Sequence, residues 1–140
     1  MHPKRILVAD DDSKFLGIVT EYLAGAGYDV RAETNPANVL EMAAALAPDL
    51  VILDISMPGK DGFQVARELR SNPRTRGIRC MFITGHRDST NVKKAKDSGG
   101  VAYLEKPFKS SSLIWMVKTL LANREPDAGS EPGLPEPQGP

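Results

Sequence analysis

The stretch Pro48–Gly62, PDLVILDISMPGKDG, decides how this chain folds. Four apolar residues, Leu50 to Leu53, run without alternation into Asp54, the pattern of a strand buried on both faces. Met57, Pro58 and Gly59 then turn the chain sharply. Such a strand delivers one carboxylate to a surface at its C-terminal end. An aspartate there can simply cap a loop, so its meaning depends on what the other strand ends bring beside it.

The same alternation extends to both sides. Arg5 to Ala9 reads as a buried strand, and Asp12 or Ser13 caps a helix whose apolar positions Leu16, Val19, Leu23 and Ala26 hold helical spacing until Gly27. Tyr28 to Ala32 is a less apolar strand suited to a sheet edge. Asn35 and Pro36 supply an N-cap and a first-turn proline for a helix through Val39, Leu40, Ala43 and Leu46. Downstream, Asp61 to Leu69 forms a helix with Phe63, Val65, Ala66 and Leu69 inward, and Ile78 to Ile83 forms a fourth strand. Ser89 to Ser98 reads as a polar helix stopped by Gly99 and Gly100, and Val101 to Leu104 as a fifth strand. Ser110 to Ser112 cap a last helix, Leu113 to Asn123, whose apolar residues cover more than one face; burial at the sheet edge and an exposed docking surface both fit that width. Five strand-then-helix repeats imply a doubly wound α/β fold, a five-stranded parallel sheet with helices on both faces, because parallel neighbours need crossover helices.

Composition narrows the function. The chain has 140 residues, 41% of them hydrophobic and 26% charged, enough for one soluble domain with a normal core. Lysines and arginines number 18 and acids 18, and the acids Asp127, Glu131 and Glu136 fall in the last stretch, leaving the domain only mildly basic; direct nucleic-acid binding is not implied. Cys80, the single cysteine, lies in an apolar run and reads as a buried core thiol. There is no apolar leader before the first strand and no long apolar run, so a cytoplasmic protein without membrane contact is expected. Residues 1–125 form the expected domain; residues 126–140, rich in proline and glycine, form a disordered tail or linker. His2 and His86 read as surface residues, and Lys93, Lys94 and Lys96 as a solvated helix face.

Ligands of such sheets bind beyond the carboxyl ends of the strands. Strand one ends at Asp10 and Asp11, strand three at Asp54, strand four at Thr84 and strand five at Lys106. Three carboxylates converging in one crevice repel unless a cation sits among them. Without histidine or cysteine that cation should be hard, Mg²⁺ or Mn²⁺, taking carboxylate oxygens of Asp11 and Asp54, the backbone carbonyl of Ser56, and waters held by Asp10. A carboxylate beside such an ion can attack phosphorus, and the new charge needs the ion, a lysine and a hydroxyl: Lys106 and Thr84 complete that set.

Here the chain resembles the receiver domains of bacterial two-component response regulators, over about Lys4 to Asn123. The motifs that carry the likeness are ILVADDD, VILDISMPGKDGF, MFITG and AYLEKPF. The resemblance implies a flavodoxin-like (βα)5 fold, Asp54 as phosphoacceptor, Asp10 and Asp11 as the Mg²⁺-binding pair, Ser56 as the carbonyl ligand, Thr84 as the switch hydroxyl, Tyr103 as the rotating aromatic and Lys106 as the phosphate-binding lysine. It also implies a cis Lys106–Pro107 bond, and a histidine kinase or histidine phosphotransfer protein as phosphodonor. A downstream protein would dock on the fourth helix, fifth strand and fifth helix. Two departures stand out: Gly100 replaces a usual alanine, and Gly85 follows the threonine, which points to a looser Gly85–Arg87 loop and an altered phosphate lifetime. On this reading the protein is a phosphorylation-dependent switch and not a dedicated enzyme, either a stand-alone receiver or the first domain of a longer chain. The alternatives are a small aspartate-based phosphohydrolase, which would want an acid where Ser56 stands, and a phosphorylation-independent adaptor. No GxxxxGK[ST] loop occurs, which disfavours ATP hydrolysis.

Overall fold

In the computed structural model, residues 2–85 and 89–122 are described, with the backbone alone for residues 89–92. The strands are β1 (Arg5–Ala9), β2 (Asp29–Glu33), β3 (Leu50–Asp54), β4 (Arg79–Thr84) and β5 (Gly100–Glu105). The helices are α1 (Ser13–Gly25), α2 (Val39–Leu46), α3 (Gly62–Ser71), α4 (Ser89–Asp97) and α5 (Ser110–Ala122), with a 3₁₀ turn at Pro36–Asn38 leading into α2. The strands form one parallel sheet in the order β2-β1-β3-β4-β5, the expected doubly wound arrangement.

Alternation along each strand splits the core into two layers. Ile6, Val8, Leu50, Ile52, Met81 and Ile83 face Leu16, Val19 and Leu23 of α1 and Leu113, Met116 and Val117 of α5. Leu7, Ala9, Val51, Leu53 and Phe82 face Val39 and Ala43 of α2, Phe63, Val65 and Leu69 of α3, and Ala95 of α4. Every residue of β3 is buried, as its unbroken apolar run requires. From β1 the chain steps outward to β2 and then returns across to β3, so the strand order reverses between β1 and β3. Connections leave the sheet on opposite faces there, and a crevice opens at the carboxyl ends of those two strands.

Several boundaries differ from expectation for local reasons. Tyr28 does not join β2, because its amide donates to the Leu23 carbonyl (3.2 Å) and closes the end of α1. Helix α5 begins at Ser110, not Leu113: the amides of Ser112 and Leu113 both donate to the Lys109 carbonyl, so the serines form the first turn. Gly99, at φ 95°, alone ends α4, whereas Gly100 belongs to β5. A Cβ at Gly100 would lie 2.3 Å from Phe82 Cε2, which accounts for the missing alanine. On α5, Leu113, Met116, Val117 and Leu120 are buried while Trp115 is 41% exposed, so burial explains most of the broad apolar face. Cys80 and Ala95 are buried; His2, Lys93, Lys94 and Lys96 are exposed. His86, Arg87, Asn123 and residues 126–140 lie outside the described residues. No described helix is long and apolar enough to cross a membrane.

Candidate functional site

Sheet register brings the acidic residues together. Ala9, the last residue of β1, is level with Leu53, so Asp10, just past β1, and Asp54, the last residue of β3, come side by side at the β1–β3 crevice. Carboxylate oxygens of Asp10, Asp11 and Asp54 all lie within 4.8 Å of one another. Asp10 is 1% and Asp54 6% exposed, while Asp11 faces solvent. Backbone amides fix both buried carboxylates: Asp12 N donates to Asp10 Oδ1 (2.9 Å) and Ser56 N donates to Asp54 Oδ1 (3.2 Å). Asp12 in turn caps α1, accepting from Lys14 N and Phe15 N, so the helix start and the acidic turn are one structure.

Lys106 closes the far side. Its amide donates to the Thr84 carbonyl (2.7 Å), which ties the residue after β5 to the end of β4. The Lys106–Pro107 peptide is cis, as the resemblance implied. Lys106 Nζ donates to Asp10 Oδ2 at 3.1 Å and lies 3.6 Å from Asp54 Oδ2. The same ammonium stands 3.9 Å from the centroid of the Phe15 ring, and Phe15 meets Phe108 edge to face at 5.8 Å. Phe15 was not anticipated as a site residue. Its place on the first turn of α1, three residues after the Asp12 cap, sets it beside the acidic turn, but nothing in the sequence marks its contact with Lys106.

One ammonium does not neutralise three carboxylates. Asp10 is raised above the ordinary 3.8, chiefly because burial penalises its charge; the Asp12 amide opposes this, the Asp54 charge adds to it, and Lys106 offsets part of it. Oxygen donors alone, in excess of nearby positive charge, suit a hard divalent cation, and the donor set therefore fits Mg²⁺ or Mn²⁺. The exposed Ser56 keeps its carbonyl in the turn that follows Asp54.

Thr84 and Tyr103 stand on neighbouring strands behind this rim. Thr84 is buried and level with Glu105, and Tyr103 is level with Phe82. The Tyr103 ring, 8% exposed, belongs to the apolar layer that contains Phe82 and Ala95. An aromatic on an edge strand has thus been turned inward.

The profile of the response regulator receiver domain matches residues 6–118. This chain is a response regulator receiver domain. The DNA-binding response regulator MtrA of Mycolicibacterium smegmatis is 34% identical over 122 residues, 87% of this chain and 52% of that protein. The transcriptional regulatory protein PdtaR of Mycobacterium tuberculosis is 35% identical over 113 residues, 80% of this chain and 54% of its own length. The receiver chain therefore spans about half the length of the curated relatives it matches. Among solved structures, the receiver domain of a signal transduction histidine kinase from Syntrophus aciditrophicus superposes with a TM-score of 0.79 at 26% identity, covering 91% of this chain and 96% of that one. A CheY-like receiver domain from Methanospirillum hungatei shares the fold, with a TM-score of 0.81 at 24% identity over 87% of this chain and 96% of that one. Receiver domains are signalling phosphoacceptors and not dedicated enzymes, and the acidic cluster of this one is of the kind such a switch uses.

Proposed function

We propose that Asp54 accepts a phosphoryl group from the phosphohistidine of a histidine kinase or histidine phosphotransfer protein, and that the modified receiver presents an altered surface on α4, β5 and α5 to a downstream protein. The observation that supports this most strongly is the convergence of Asp10, Asp11 and Asp54 within 4.8 Å, with Lys106 reaching both buried carboxylates. An Asp54 carboxylate oxygen forms the new P–O bond as the P–N bond to the donor imidazole breaks, and the electron pair leaves with the imidazole. Lys106 moves from carboxylate to phosphoryl oxygen as charge develops there, and the Thr84 hydroxyl donates to another oxygen. Asp10, Asp11, Asp54 and the Ser56 carbonyl are the residues that would hold Mg²⁺ or Mn²⁺, which when bound supplies charge neutralisation for the incoming phosphoryl group.

Thr84 and Tyr103 form the proposed route outward. The phosphoaspartate draws the threonine toward its oxygens, and the space released beside β4 secures the Tyr103 ring in its inward position. A phosphohydrolase is the weaker reading, since Ser56 offers no carboxylate to activate water two residues beyond Asp54.

Intact-mass measurement with a small acyl phosphate donor tests the chemistry. One phosphoryl group should be added in the presence of Mg²⁺, and none to Asp54→Ala. Equal modification of Asp54→Ala would remove Asp54 from the role.

A further inference from the structure

We infer that Phe15 is a positioning residue for Lys106, holding the ammonium by its ring face at the place from which it serves the phosphoryl group. This rests on the role proposed for Lys106 above. The ammonium has three neighbours of different kinds: Asp10 Oδ2 at 3.1 Å, Asp54 Oδ2 at 3.6 Å and the Phe15 ring centroid at 3.9 Å. The carboxylates pull it into the crevice from one side. An aromatic face, negative at its centre, attracts it from another, and does so more strongly where water is excluded. The Lys106 side chain is 27% exposed, so it is shielded from water in part and gains part of that strengthening.

The ring is itself held firmly. Phe15 N donates to Asp12 Oδ1 (3.2 Å), which places the side chain on the first turn of α1, and Phe108 packs against the ring edge to face. Phe108 follows Lys106 by two residues, so the aromatic pair clasps the loop that carries the lysine. A lysine has a long flexible stem with several rotatable bonds, and ordering it at the moment of transfer is costly. The ring removes part of that cost beforehand. A leucine would fill much of the same space and keep the apolar contact, yet it lacks the quadrupole.

That difference supplies the test, on the full chain with Phe15→Leu and Phe15→Tyr. The ε-methylene resonances of Lys106 should be shifted upfield by the ring in the parent, remain so in Phe15→Tyr, and relax to ordinary lysine values in Phe15→Leu. Mg²⁺-dependent phosphoryl uptake should slow by about 2-fold to 30-fold in Phe15→Leu and stay near the parent rate in Phe15→Tyr. A folding role alone would lower the melting temperature in parallel with the rate, so thermal unfolding of each variant is recorded beside it. Parent-like Lys106 resonances in Phe15→Leu would overturn the inference, as would equal slowing in both variants. If the parent takes up no phosphoryl group, the proposed function fails, while the resonance comparison still decides the Phe15 contact.

Discussion

Asp10, Asp11 and Asp54 differ in burial although they share one crevice, and burial sets what each residue can do. Asp10 and Asp54 are fixed by backbone amides, whereas Asp11 meets solvent and contributes charge without being locked. Asp11→Ala should therefore leave the fold intact and weaken Mg²⁺ binding by at least about tenfold, because a charged ligand is lost. A magnesium titration unchanged from the parent would remove Asp11 from the metal set. Cys80 behaves in the opposite way: burial pushes its thiol up to about 12, so it stays protonated and shielded. A thiol reagent at mildly alkaline pH should label it only as fast as the protein unfolds, and rapid labelling of the native chain would show the β4 core to be open. The charged residues that meet at the crevice were legible in the sequence since each lies at the C-terminal end of a strand or within two residues of it. Phe15 was not, because its role comes from a lysine 91 residues away that only the closed sheet brings over its ring.

At the level of elements, the turn from β3 into α3 holds Asp54 in place. The Gly62 amide donates to the Ile55 carbonyl (3.0 Å), and a Cβ at Gly62 would sit 2.4 Å from the Asp54 carbonyl oxygen. Gly62→Ala must displace backbone, so it should cost about 1–3 kcal/mol in denaturant unfolding and slow phosphoryl uptake as well. Unchanged stability would mean that the turn yields freely. At the sheet edge, Asp29 bridges β1 and β2, paired with Arg5 Nε at 3.0 Å and Arg31 Nε at 3.1 Å. Hydrogen bonds from Arg31 and then Arg5 hold its carboxyl below the ordinary 3.8. A lowered folded-state value stabilises the protein above the unfolded value and stops doing so as pH falls through the folded one. The parent should thus exceed Asp29→Asn in stability at neutral pH, by a small margin at this exposed pair, and the gap should close below pH 3.8. A gap that persists in acid would assign it to something other than the ion pairs. The strands and helices were legible from periodicity and turn residues, β1 to the residue, but several of the other ends were not. The ends depend on single amides, such as that of Tyr28, which closes α1 instead of extending β2.

For the whole molecule, the sheet order matters most. By reversing between β1 and β3 it gathers the carboxylates at one crevice, and by placing β4 and β5 next in line it sets Thr84 and Tyr103 between that crevice and the outer elements. The two-layer core is close-packed, so a shift at Thr84 can pass into the layer that holds Tyr103. A coupling of about 1–3 kcal/mol would change the ratio of two surface states roughly 5-fold to 150-fold, enough for a switch that depends on one hydroxyl. The most direct measurement follows the chemical shifts of Tyr103, α4 and α5 with and without a beryllofluoride mimic, in the parent and in Thr84→Ala. The parent should move toward a second state that reaches α5, while Thr84→Ala should show changes at the crevice with little movement beyond β4. Thr84→Ala moving along the same line to the same endpoint as the parent would contradict the account.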